Sequence, residues 1–101
     1  MNYLKNYNIN DEQILNIKRV LEEREINIDI FKYDPEAIIQ ILNLFISIGV
    51  NDLYNLIIES PSMFCDTVES IKRRIDKYED KEKLARLLNE DASNLSLIDL
   101  I

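Results

Sequence analysis

The sequence predicts an all-α protein: a small array or bundle of five to six short helices in consecutive antiparallel pairs, forming one domain over residues 1–101. Three observations carry this expectation. The chain has a single glycine, Gly49, and two prolines, Pro35 and Pro61, whereas sheet proteins need many tight turns that favour residues tolerant of positive φ. Apolar residues make up 47% of the sequence, enough to build a core and too many for a disordered chain. Along most of the chain those residues recur at helical rather than alternating spacing.

Asn10, with Gln13 three positions on, reads as a capping box, and Ile14, Ile17, Val20 and Leu21 follow at helical intervals. This predicts a first helix from about Asp11 to Arg24. Ile26, Ile28 and Ile30 alternate with polar residues but have no second strand to pair with, so a loop or a single helical turn is expected there. Asp34-Pro35 signals the next start, a capping aspartate before a proline in the first turn. Gly49 supplies the left-handed stop. The apolar residues between them, from Ile38 to Ile48, cover almost the whole circumference. A helix of that kind is buried on most sides, which places it at the centre of the fold.

Asn51 is expected to cap a third helix carrying Leu53, Leu56, Ile57 and Ile58, ending near Glu59 because Pro61 disfavours helical geometry at Ser60. Asp66 with Glu69 reads as a second capping box, opening a helix with Val68, Ile71, Ile75 and Tyr78 inward. Asp80 caps the last predicted helix, with Leu84, Leu87 and Leu88 inward, and the tail from Leu95 to Ile101 is apolar to its end.

Two stretches look like copies of one unit. Residues 53–64 align with 84–95 at an offset of 31, matching apolar positions at 53/84, 56/87, 57/88 and 64/95, with identities at Glu59/Glu90 and Ser62/Ser93. At an offset of 30, Ile38, Ile41, Phe45 and Ile48 match Val68, Ile71, Ile75 and Tyr78. Such units stack because none buries its own face alone. The segment from Gly49 to Phe64, with Gly49, Pro61, Met63 and Phe64 at its turn positions, resembles the repeat of the mitochondrial transcription termination factor family. The resemblance covers roughly residues 35 to 95 and implies a helical solenoid that binds nucleic acid along a basic concave face. The second unit departs from the motif, with Asp80 in place of the glycine and Ala92 in place of the proline.

Little in the sequence points to catalysis. There is no histidine, the commonest general base and metal ligand. One cysteine, Cys65, allows neither an internal disulfide nor a Cys/His zinc site. It reads as a plain, partly buried thiol in a reducing, cytoplasmic setting. With one glycine there is no phosphate-cradling loop. The expectation is therefore a protein that is not an enzyme and needs no cofactor or metal. The apolar run from Ala37 to Val50 is shorter than the ~20 residues of a spanning helix, and no membrane partner is expected.

Charge is the more informative signal. The net charge is −7, yet residues 33–71 contain no Lys or Arg and carry six acidic groups, while residues 72–86 carry seven basic groups against four acidic ones. Two classes of function follow. One is an interaction or regulatory module that binds a protein partner, a basic one included, through an apolar helix face or its acidic surface, or that imitates nucleic acid to block such a partner. In that reading Leu97, Ile98, Leu100 and Ile101 are candidate interface residues, for docking or homodimerisation, unless they cap the end of the helix stack. The other is a small nucleic-acid-binding repeat using Lys72, Arg73, Arg74, Lys77 and Arg86. Interleaved Asp76, Glu79, Asp80 and Glu82 argue for a solvated face instead, with surface pairs worth about 0–1 kcal/mol each.

Overall fold

Local capping chemistry fixes where the helices begin. In the computed structural model, which describes residues 1–100, α1 spans Asp11–Glu23, α2 Ile28–Tyr33, α3 Glu36–Ile48, α4 Leu53–Glu59, α5 Val68–Asp76 and α6 Lys81–Glu90. Three 3₁₀ stretches, Asn2–Tyr7, Pro61–Cys65 and Ala92–Ile98, complete an all-α architecture with no strand among the described residues. The Asn10–Gln13 box forms with both of its bonds, at 2.8 and 2.9 Å. Asp80 accepts from the Lys83 amide, as expected.

Three other starts differ from the sequence-based expectation. Thr67, not Asp66, caps α5 by accepting from Ser70 N, while Asp66 binds the Thr67 amide and the Ser70 hydroxyl. Asp52, not Asn51, caps α4 by accepting from Asn55 N. The reason lies outside the local sequence: the Asn89 carboxamide oxygen on α6 accepts from both Asn51 N and Asp52 N, so the turn is held from across the fold. Asp34 supplies no capping bond among the described residues, and α3 is entered through Pro35, whose carbonyl accepts from Ile39 N at 2.8 Å. The isoleucine-rich 26–30 segment leads into the short helix α2, capped by Asn27.

Three helical segments end in the same way. At Glu25, Gly49 and Asp99 the chain turns left-handed, with φ of 55°, 108° and 58°, and each is followed by an apolar residue. Ile26 N, Val50 N and Leu100 N then bond back to the carbonyls of Leu21, Phe45 and Leu95. These are three Schellman closures, each pairing a buried residue in the last turn with the apolar residue beyond it. Only one of them uses glycine.

The core is a single cluster running from Leu4 to Leu100. At its centre α3 buries Ile38, Ile41, Leu42 and Phe45 and packs against α5, α6 and the Pro61–Cys65 turn, while α1 lies against α2 and α4. The principal contacts of α3 thus run to later helices rather than to its sequence neighbour α4. The burial of α3 is not complete, because Ile46 is 44% exposed. Phe31 of α2 and Phe64 approach with ring centroids 6.3 Å apart, in a tilted arrangement that aromatic quadrupoles favour. The Cα radius of gyration, 12.7 Å, matches the ~13 Å expected for a closely packed chain of this length.

The Ala92–Ile98 stretch closes the stack over α4 and α6. Leu95, Ile98 and Leu100 are buried. Ser60, the one buried polar residue among those described, donates to the Leu100 carbonyl at 2.7 Å. The Arg74 guanidinium donates to the Asp99 carbonyl at 2.7 Å.

Candidate interaction surfaces

The acidic residues of the 33–71 stretch do not form one continuous face. Two of them, Asp52 and Glu59, join Glu90 and Asp91 around a shallow hollow of ≈ 240 Å³ where the ends of α4 and α6 come together, with Asn55, Ile58 and Ala92 completing the lining. Asp52 is held by its capping bonds to Asn55, one from the amide and one from the side chain. Asp91 caps the final 3₁₀ stretch, and the Ser93 hydroxyl and amide hold its carboxyl below the usual carboxylate range. Both carboxylates are therefore fixed in direction. Among the described residues none of the four carboxylates lies within 4 Å of a lysine or arginine nitrogen. They are also spread across the hollow rather than converging, since no metal-ligating cluster exists among the described residues. What such a surface can do chemically is attract cations on a partner while Ile58 offers an apolar contact.

The predicted basic face is only partly available. Lys72, Arg73, Lys77 and Arg86 are exposed, and Arg74 is half-buried. Lys72 pairs with Asp76 at 3.0 Å, and Asp76 also lies 3.9 Å from Lys81. Arg74 is turned to the Asp99 carbonyl, so the five residues do not present five free cations to one ligand.

Of the described candidate interface residues in the tail, Leu97 alone faces water, at 48% exposure. Ile98 and Leu100 point inward, because the 3₁₀ winding and the left-handed turn at Asp99 carry them into the core. That corrects the reading of Leu100 as a docking residue, while Ile98 reaches the surface only as the inner wall of a small cleft. Ile101 lies outside the described residues. Cys65 is exposed rather than partly buried, and partial desolvation pushes its thiol up. That keeps the thiol protonated at neutral pH.

Two features escaped the sequence reading. Glu90 and Asp91 belong to the acidic hollow although they lie far from the acidic stretch in the chain; the only signal for them was the Glu59/Glu90 match between the two units. Tyr78, assigned to the core of its helix, is half-buried and lines a small cleft with Arg74, Lys77, Leu97, Ile98 and Asp99. Elsewhere, an open groove borders exposed Leu15 on α1, lined also by Arg19 and Tyr54. Among the described residues no helix is long and apolar enough to cross a membrane.

No family model matches this chain, and no match was found among curated proteins or solved structures. The surfaces themselves are thus the ground for a functional reading.

Proposed function

We propose that this chain is a non-enzymatic interaction module that binds a basic protein partner through the acidic hollow between α4 and α6. One observation carries the reading: Asp52, Glu59, Glu90 and Asp91 line a single concavity, and among the described residues none of their carboxylates has a lysine or arginine nitrogen within 4 Å, the Arg24 guanidinium reaching only the Glu59 backbone carbonyl. Asp52 and Asp91 are placed by their capping bonds, but among the described residues the Glu59 and Glu90 carboxylates make no such bond, and four like charges around one hollow repel one another, so a basic partner is the natural complement. Clustered charge of one sign steers an oppositely charged partner and sets specificity more than raw affinity. The two capping aspartates are fixed in the free protein, which limits the freedom lost on binding.

The reading of two related helix units supports the same conclusion. α4 and α6 end on the matched glutamates Glu59 and Glu90, and 3₁₀ stretches follow at the matched positions Pro61 and Ala92. Matched residues Leu53/Leu84, Ile57/Leu88 and Phe64/Leu95 are all buried. A stacked pair of such units brings equivalent helix ends side by side, and the hollow lies at that junction. The nucleic-acid reading draws less support, because Arg74 and Lys72 are already engaged within the chain.

Binding of a fluorescent Lys/Arg-rich peptide, followed by anisotropy, tests the proposal. Glu59→Gln/Glu90→Gln spares both capping aspartates and should weaken binding at least tenfold at low salt. The wild-type affinity should fall steadily with added salt. Equal binding by the double variant and wild type refutes the proposal.

A further inference from the structure

The cationic stretch of α5 and the apolar tail, far apart in the chain, meet at one small cleft, and it shares no residue with the acidic hollow. We propose that this cleft is a second docking site, for an acidic peptide segment that carries one aliphatic anchor residue. The cleft is the smallest of the hollows described above, with a volume of ≈ 70 Å³, a size suited to a single side chain. Its apolar surface comes from Tyr78, Leu97 and Ile98, of which Leu97 is 48% exposed and Ile98 closes the inner wall. An exposed leucine beside a half-buried tyrosine is apolar surface that a contacting side chain would remove from water.

The rim is cationic. Arg74 and Lys77 border the cleft against one carboxylate, Asp99. Among the described residues neither cation has a carboxylate oxygen within 4 Å. Arg74 is oriented by a neutral acceptor, the Asp99 carbonyl at 2.7 Å. That bond uses one of its five N–H donors and leaves the others for a partner. Its direction is set before a partner arrives, so a carboxylate can be met with little loss of side-chain freedom. Among the described residues the Tyr78 hydroxyl makes no hydrogen bond, and it can donate to the same carboxylate.

The charge around the cleft selects a peptide over a polyphosphate. Asp76, Glu79 and Asp80 sit on the same stretch of chain, and the whole protein carries −7. An evenly charged phosphate backbone would meet these interleaved carboxylates as well as the cations. A peptide can place its carboxylates only where the cations are and keep neutral residues elsewhere.

The probe is a fluorescein-labelled peptide of alternating acidic and serine residues with one central leucine, titrated at low salt. A second peptide replaces that leucine by serine, and a labelled thymidine oligonucleotide forms the third arm. Lys77→Glu and Leu97→Ser alter exposed side chains, and their unfolding temperatures are checked against wild type. The proposal expects each variant to weaken binding of the leucine peptide at least tenfold. It expects a similar loss for the serine peptide on the wild type, and no oligonucleotide binding that depends on Leu97. It is overturned if the leucine peptide does not bind, or if both peptides bind alike. It is also overturned if Leu97→Ser binds as wild type does, or if the oligonucleotide outcompetes the peptide through Lys77 alone.

Discussion

Replacing Asn89 by alanine tests how α6 is tied to the turn between α3 and α4. The Asn89 side chain is a three-point clamp on the α3–α4 turn. Its oxygen accepts from Asn51 N at 2.7 Å and Asp52 N at 3.3 Å, and its nitrogen donates to the Gly49 carbonyl at 3.1 Å. A typical net hydrogen bond contributes about 0.5–1.5 kcal/mol. The site is partly open to water, which replaces some of what is lost, so about 2 kcal/mol is expected from the three. Alanine favours the helix over asparagine by about 0.5 kcal/mol, leaving a net loss of about 1.5 kcal/mol. For a chain of this size that lowers the unfolding midpoint by roughly 6–12 °C. Thermal unfolding followed by far-ultraviolet circular dichroism measures it. A midpoint within about 2 °C of wild type would show that the clamp contributes nothing and that α6 is held there by apolar packing alone. Asn89→Asp, which keeps the acceptor but loses the donor to Gly49, should fall between the two.

Further outcomes follow from the same structure. Gly49→Ala should destabilise by about 1–2 kcal/mol through its φ of 108° alone, since the added carbon would sit at an ordinary 3.5 Å from Ala85. Glu25→Gly should do the reverse, raising stability by about 0.5–1 kcal/mol in urea unfolding, because a non-glycine residue now holds a left-handed conformation. Burial, with a smaller contribution from Tyr7, pushes the Tyr3 phenol up to about 12 from 10.0, and its hydroxyl donates to the Phe31 carbonyl at 2.8 Å. The folded state therefore favours the protonated phenol. Its contribution is intact below pH 10 and is lost as the pH rises from 10 towards 12. Tyr3→Phe should flatten that part of a stability-against-pH profile, and an unchanged profile would contradict the assignment.

Much of the fold was legible because it rests on local chemistry. The Asn10 box, the Gly49 stop, the Pro61 break and the inward residues of α5 and α6 are set within a few positions of chain. The errors share a cause. Asn51 and Asp52 are both good capping residues, and the choice between them is made by Asn89 on another helix. Glu25 and Asp99 stop their segments in a conformation that side chains disfavour, held there by Ile26 and Leu100 reaching the core. Neither residue type announces such a stop. The tail's apolar residues were visible, but which of them face inward depends on a 3₁₀ winding without the familiar helical period. The acidic hollow was half legible: the stretch without lysine or arginine gave Asp52 and Glu59, while Glu90 and Asp91 arrive only because the Ala92–Ile98 stretch that follows them packs on α4.

The central claim, that the hollow is where a basic partner is met, is tested most directly by residue-resolved titration. A ¹⁵N-labelled sample is titrated with an unlabelled Lys/Arg-rich peptide while amide shifts are recorded. The account predicts that the largest shifts fall on Asp52, Asn55, Ile58, Glu59, Glu90 and Asp91, with α5 little affected. Shifts scattered evenly over the acidic residues of the chain, or centred elsewhere, would contradict it.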